Sequence, residues 1–311
     1  MSRLLSEAVP AAVGATIFYN IAPVVEAMAA RRQAAGAGLG FGLLLRLVRQ
    51  PLWLAGFVCE LCGFALEVVA LTVAPLILVQ PLLAAGLTVV VLGGALFLGE
   101  RLTRWGVAGM ASLVGGVVLL TASVARAGDA GVLPAPDRLW PAVAACTVAG
   151  LTALVGALRA ERSASTVGAG ALFGASAGVF FTVAAVATRY LGLQVHHLSG
   201  SSVVRVFTGP APYLLAVSSI VATSLLQRGL QAGTALSAVP AMTALSAILP
   251  VPAGLVLFGE NLPTGWWLPL FCVALAFTLA GIAQLGSERA VQVAFAGGDT
   301  DPPQVAADTG R

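Results

Sequence analysis

The sequence predicts an all-α, polytopic membrane protein with about nine transmembrane helices in two inverted repeats. The first observation is composition: 59% of the 311 residues are hydrophobic and only 9% are charged, with a mean hydropathy of +0.96. A soluble domain carries about a quarter charged residues, so this chain could not cover itself with a water-compatible surface. The second is a recurrence of apolar runs of about twenty residues, long enough to cross roughly 30 Å of hydrocarbon as helices.

Short polar or proline-containing segments divide the apolar runs into spans. The predicted spans are residues 8–29, 51–73, 75–98, 105–125, 139–158, 166–188, 210–232, 235–258 and 265–286. The first run is too long for a signal peptide and contains Asn20 and Glu26, so we expect it to remain as a transmembrane helix. Segment 31–50, which carries Arg46 and Arg49, is favoured as an interfacial helix over a tenth span.

A repeated motif indicates the domain organisation. "LFLGERLT", Leu96 to Thr103, matches "LVLFGENLP", Leu255 to Pro263. Corresponding spans are then five apart and cross the membrane in opposite directions, a common plan of secondary transporters with the site between the halves. We predict a first repeat over 1–126 (helices 1–4 and segment 31–50), a second over 127–286 (helices 5–9) and a disordered cytoplasmic tail over 287–311.

The stretch Trp53 to Gly86, "WLAGFVCELCGFALEVVALTVAPLILVQPLLAAG", resembles the magnesium-transporter NIPA family of the drug/metabolite transporter (DMT, EamA-like) superfamily. The matching positions are Trp53, Ala55–Gly56, Gly63, Ala74–Pro75, Leu78–Val79, Pro81–Leu82 and the Gly99–Glu100–Arg101–Leu102 motif after the third span. The resemblance implies a DMT-type fold of four plus five helices over about 280 residues, and Mg²⁺ as substrate. The sequence departs from the family's pattern at Phe64, Glu67 and Gln80.

The distribution of arginine predicts the orientation, since cytoplasmic loops carry the excess of positive charge. With nine spans, eleven arginines fall on the side of segment 31–50 and the tail, and five fall on the other side. We therefore expect a cytoplasmic carboxyl terminus and an outer amino terminus. The absence of lysine and the abundance of Ala, Gly, Val and Leu suggest a bacterial plasma membrane protein. The arginines sit singly or in pairs between spans, which argues against a nucleic-acid partner.

Two carboxylates, Glu60 and Glu67, lie within the second predicted span. A carboxylate at the bilayer centre costs about 3 kcal/mol, so it usually faces the bundle interior or a water-filled path. Seven residues make almost two helical turns, so both side chains point to nearly one face, roughly 10 Å apart along the axis. We predict that Glu60 and Glu67 form two successive binding positions for a cation along one path. Asn20 would lie level with Glu60, and Gln80 level with Glu67. The alternative is that Glu60 and Glu67 only form hydrogen bonds between helices and have no part in transport.

The seventh span adds a polar stripe at four-residue spacing. Its members are Ser219, Thr223, Gln227 and Gln231, and Gln227 occupies the repeat position of Glu67. The predicted substrate-binding set is Asn20, Glu60, Glu67, Gln80, Thr223, Gln227 and Gln231, with Glu60 and Glu67 as the metal ligands.

Several motifs have structural interpretations that we favour. "GASAG", Gly174 to Gly178, fits a nucleophile pattern, but within a helix Gly170, Gly174 and Gly178 form a close-packing face. Glu100 and Glu260 mark helix ends, and His196 and His197 lie in an outer loop.

Three functions stay open on the sequence alone. The leading hypothesis is a secondary transporter of a small solute, Mg²⁺ or another divalent cation, by alternating access. The alternatives are a proton-coupled exporter of a small organic metabolite or drug, in which Glu60 or Glu67 carries the proton, and a non-transporting accessory or scaffold protein. We expect no enzymatic activity and no cofactor. The partners would be the lipid bilayer and the substrate, and a homodimer is compatible with the sequence.

Overall fold

The computed structural model describes residues 7–33, 50–97, 101–125, 127, 132–134, 136–163, 165–196, 209–232, 235–286, 288 and 291. Within these ranges every regular element is a helix. In chain order they are α1 (Val9–Gln33), α2 (Pro51–Val73), α3 (Leu76–Ala84), α4 (Leu87–Phe97), α5 (Arg104–Val124), α6 (Pro136–Arg162), α7 (Thr166–His196), α8 (Ala211–Ala232), α9 (Ala235–Ile248), α10 (Pro250–Phe258) and α11 (Trp267–Gly286).

These helices lie over the predicted spans, but α7 extends eight residues beyond the predicted end at 188, so His196, which was expected in an outer loop, is the last residue of a helix. In the described part of the chain, eight helical stretches are long and apolar enough to cross a membrane, and α1 adds a shorter apolar stretch, Val9–Val25. The α3–α4 pair makes up the stretch Leu76–Phe97, and α9–α10 make up Ser237–Phe258. The predicted fold class, an all-α polytopic membrane protein, is confirmed.

The third and eighth predicted spans are each interrupted. The third breaks at Ala85–Gly86, where the Ala85 N–H donates to the carbonyl oxygens of Pro81 and Leu82 in a tightened last turn. The eighth breaks at Leu249, directly before Pro250, which has no N–H to continue the helical hydrogen bonds. The third and eighth spans, which correspond in the two predicted repeats, are thus both interrupted, although not at the same repeat position.

The helix neighbours follow the pattern that two related repeats would give. The α1–α2 pair of the first half packs tightly, as does the α7–α8 pair of the second. The corresponding elements α5 and α11 pack on each other, and α3 packs on α9 and α10. The repeat boundary between residues 126 and 127 stays a prediction.

The glycine face predicted on α7 packs against α9. A side chain at Gly174 would overlap the Ala238 backbone carbonyl, and a Cβ at Gly178 would lie 2.6 Å from the Met242 carbonyl oxygen. Ser176, the central residue of "GASAG", is buried and donates a hydrogen bond of 2.8 Å to the Gly150 carbonyl oxygen in α6. The motif is therefore a packing surface, as predicted, and it contacts both α9 and α6.

Other predictions lie outside the described residues. Most of segment 31–50 does, as do Glu100, His197 and the tail beyond residue 291. The helix positions of Glu26 and His196 are described, but their side chains are not.

Candidate substrate cavity

A cavity of about 390 Å³ lies between α1–α3 of the first half and α7–α9 of the second. It is lined by Tyr19, Asn20, Pro23, Glu60, Phe64, Glu67, Gln80, Leu83, Phe181, Ala184, Ala185, Thr188, Leu215, Ser219, Thr223, Leu226, Gln227, Met242 and Ser246. A smaller cavity continues from Asn20 and Gln80 toward the α3–α4 break. This position, between the two predicted halves, is where transporters built from repeats hold their substrates.

The structure brings six of the seven predicted site residues to this one cavity. Asn20 comes from α1, Glu60 and Glu67 from α2, Gln80 from α3, and Thr223 and Gln227 from α8. Gln231, one turn further along α8, is exposed and does not line the cavity. Their role in substrate binding stays a prediction.

Glu67 is held by two neutral donors. The Tyr19 hydroxyl donates to Oε2 at 2.7 Å, and the Gln80 side-chain amide donates to Oε1 at 3.0 Å. Glu67 and Gln80, which were predicted to lie at the same level, therefore form a direct hydrogen bond. Because the two donors come from α1 and α3, the carboxylate of α2 ties three helices of the first half together.

Glu60 and Asn20 line the same cavity in different ways. Glu60 is exposed. The Asn20 side-chain amide donates a hydrogen bond of 2.9 Å to the Thr16 carbonyl oxygen, one turn back in α1. This bond holds the Asn20 side chain against its own helix and leaves Glu60 open to solvent or to a substrate.

Two glycines leave space for the α1 side chains. A Cβ at Gly63 of α2 would lie 3.0 Å from the Tyr19 ring, and one at Gly86, in the α3–α4 break, would overlap the Asn20 amide. The glycines therefore let α1 approach both neighbours closely enough to place Tyr19 and Asn20 in the cavity.

A second buried glutamate, Glu260, lies at the end of α10 and is only 4% exposed. It accepts hydrogen bonds from the backbone N–H groups of Leu76 (2.6 Å) and Ile77 (3.1 Å), at the start of α3. Arg189 of α7 pairs with it at 3.5 Å. Burial raises the pKa of the Glu260 carboxyl, and the Leu76 N–H, the Arg189 guanidinium and the Ile77 N–H oppose that rise.

The cavity has an excess of negative groups. Its described lining contains the carboxylates of Glu60 and Glu67 and no arginine or histidine. In the described part of the chain, the resolved ion pairs are Arg189 with Glu260 and Arg228 with Glu161, and neither involves the cavity acids. A site of this charge attracts cations. The described residues contain no cluster of three His, Cys, Asp or Glu side chains.

Tyr19, which makes the shorter of the two hydrogen bonds to Glu67, was not among the residues predicted from the sequence. The available signal was a tyrosine directly before Asn20 in an apolar helix, but tyrosines in such helices also occur at membrane interfaces. Phe181 and Met242 carried no signal, since apolar residues are the rule in every span, and Phe64 was identified only as a departure from the family's pattern.

The comparisons with known proteins agree with the resemblance drawn from the sequence. Residues 8–130 match the family model of the magnesium transporter NIPA, and this family belongs to the DMT-like superfamily. The match covers α1–α5, less than half of the chain, and so contains Tyr19, Glu60, Glu67 and Gln80 but not the α8 residues. No curated protein and no solved structure matches the chain. The family match supports a membrane transporter.

Proposed function

We propose that the protein is a secondary transporter of a small cation, Mg²⁺ or another divalent ion, which binds in the cavity between the two halves. One observation carries this proposal: Glu67 faces the cavity with two neutral donors and, among the described residues, no basic partner. A carboxylate in a membrane is costly unless a positive charge compensates it, and a bound cation would supply that charge. The match of residues 8–130 to a magnesium transporter family favours Mg²⁺.

The proposed energy source is an ion gradient or the gradient of the substrate itself. The sequence has no lysine and hence no phosphate-binding loop of the G-x-x-x-x-G-K type. Movement of one half against the other about the cavity would expose the site to each side in turn.

The two ends of the cavity differ in exposure, and this difference indicates which side of the membrane the cavity faces in this conformation. Glu60, Thr223 and Gln227 are exposed and lie toward the start of α2 and the end of α8, the side we predict to be cytoplasmic. Near the opposite end of α2, Arg189 joins the Leu71 carbonyl oxygen to Glu260. We propose that this conformation faces the cytoplasm, in a bacterial plasma membrane with the carboxyl terminus inside.

A small organic cation is the second candidate substrate. The lining includes Tyr19, Phe64 and Phe181, and a neighbouring apolar cavity shares Phe64 and Leu215 with it. Aromatic rings and apolar surface bind organic cations better than they bind a metal ion. A proton carried on Glu60 or Glu67 would be exchanged for such a substrate.

The test of the proposal is Mg²⁺ uptake into proteoliposomes with a Mg²⁺-sensitive dye inside. We expect uptake by the wild type and only the rate of empty liposomes with Glu67→Gln. Glu161→Gln is the matched control, because Glu161 pairs with Arg228 at an exposed site and should be dispensable. Failure of the folded wild type to move Mg²⁺ would remove the metal proposal, and the same assay with lipophilic amines would then examine the second candidate.

A non-transporting scaffold would need no water-filled path. Single cysteines at positions 60, 67 and 227, in a background without the four native cysteines, should react with a water-soluble thiol reagent if the cavity is a path. Blocked access at all three positions would favour the scaffold.

A further inference from the structure

We infer that the cavity takes its divalent cation with the inner hydration shell intact, so that Glu67 contacts the ion's water molecules and not the ion. This inference rests on the proposed function, and it specifies the form in which the substrate is recognised. The first support is a shortage of direct ligands around Glu67, and the second is the size and lining of the cavity.

Direct coordination of Mg²⁺ needs up to six oxygen ligands at about 2.1 Å in octahedral geometry. Each oxygen of Glu67 already accepts a hydrogen bond, from Tyr19 and from Gln80. Glu60 lies seven residues away on α2, roughly 10 Å along the helix axis, and the described residues provide no cluster of three metal-binding side chains. Since Mg²⁺ gives up its water reluctantly, a single fixed carboxylate is a poor replacement for the hydration shell.

The space available fits a hydrated ion. The cavity volume is about 390 Å³, and six water molecules take about 180 Å³ at their share of liquid volume, near 30 Å³ each, so the cavity has room for a fully hydrated ion.

The remaining polar groups suit water molecules as partners. Ser219, Thr223 and Gln227 line the α8 side of the cavity, opposite the carboxylates of α2. In the described part of the chain no hydrogen bond engages these three side chains, so their oxygens are available to accept from metal-bound water. Such water-mediated contacts are nearly as favourable as direct ones.

Cobalt(III) hexaammine tests this inference, because it resembles hexahydrated Mg²⁺ in shape and does not exchange its ligands. In the Mg²⁺ uptake assay we expect competitive inhibition by the complex, at concentrations near the KM for Mg²⁺, relieved by added Mg²⁺. Spermidine, a linear trication, controls for charge and should inhibit much more weakly.

A matched pair of variants examines the water contacts. Thr223→Val removes one hydroxyl from the cavity at nearly constant shape, and we expect it to raise the KM for Mg²⁺ about fivefold, the effect of one hydrogen bond. Thr147→Val makes the same change in α6, where the hydroxyl bonds only to the Val143 carbonyl oxygen of its own helix, and should leave the KM unchanged.

The outcomes distinguish the inference that the hydrated ion is recognised from the proposal that the protein transports Mg²⁺. Mg²⁺ uptake that resists the hexaammine complex, or that spermidine inhibits equally, would overturn recognition of the hydrated ion and leave the transporter proposal in place. A wild type that moves no Mg²⁺ would overturn both.

Discussion

Glu67 and Glu260 are two carboxylates of one helical bundle, and their surroundings differ in one essential respect. Glu260 is almost fully buried, accepts two backbone N–H groups and pairs with Arg189. Glu67 has a hydroxyl and an amide as donors and faces a cavity. A buried charge needs a partner of opposite sign. Glu260 therefore has its countercharge within the protein, whereas Glu67 has room for one from outside.

Glu260 and Glu67 therefore have different roles. Glu260 joins the end of α10 to the start of α3 and to α7, and so holds the two halves together. This agrees with its interpretation from the sequence as a marker of the fold. Glu67 joins only helices of the first half, on the wall of the space where a substrate would bind.

The largest effect on stability is expected at the Glu260 cluster. Arg189→Met leaves a buried carboxylate without its ion pair, which typically costs about 3–5 kcal/mol. We expect a large drop in the apparent melting temperature of the purified protein. The control Arg228→Met breaks an exposed pair with Glu161, worth about 0–1 kcal/mol. Equal melting temperatures for the two variants would contradict the structural role of Glu260.

Two glycines distinguish the packing interface from the cavity. Gly174→Ala would press a methyl group onto the Ala238 backbone, and we expect a loss of about 1–3 kcal/mol from overpacking. In Gly86→Ala the nearest atoms to the added methyl group belong to the Asn20 side chain, which can rotate away, so this variant should fold normally and change the KM for the cation. Thermal unfolding and uptake kinetics of both variants provide the measurement, and the opposite pattern would contradict the assignment.

Tyr19→Phe tests whether the Tyr19 hydroxyl positions the Glu67 carboxylate. Loss of a hydrogen bond to a cation-binding carboxylate typically lowers affinity about tenfold or more, so we expect the KM to rise about tenfold at a nearly unchanged maximal rate. Tyr190→Phe is the control, since Tyr190 faces a separate cavity. If the Tyr19→Phe kinetics match those of the control, the hydroxyl does not position Glu67.

The sequence predicted the spans and most of the polar residues of the cavity because both follow from local rules. Apolar length defines a membrane helix, and the cost of charge in a bilayer singles out Glu60 and Glu67. The depth of Gln80 along the third span placed it level with Glu67, and the repeat placed Gln227 at the position that corresponds to Glu67. These arguments needed no knowledge of how the helices pack.

What the sequence did not predict depends on contacts between distant residues. The partners of Glu260 lie 183 and 184 residues away, and nothing in its local sequence identifies them. Tyr19 is 48 residues from Glu67, and its approach depends on Gly63, which matches the family pattern but does not by itself indicate which side chain packs on it. The break at Ala85–Gly86 has no proline at its position, and Pro23 and Pro240 lie inside uninterrupted helices, so the positions of proline alone do not predict where the spans are interrupted.

The most direct test of the uncompensated charge at Glu67 is equilibrium binding of Mg²⁺ to the purified protein in detergent. The measurement compares the wild type, Glu67→Gln and the exposed control Glu161→Gln. We expect saturable binding by the wild type and the control, and loss of that binding in Glu67→Gln with the protein still folded. Binding that persists unchanged in Glu67→Gln would show that this carboxylate does not hold the cation.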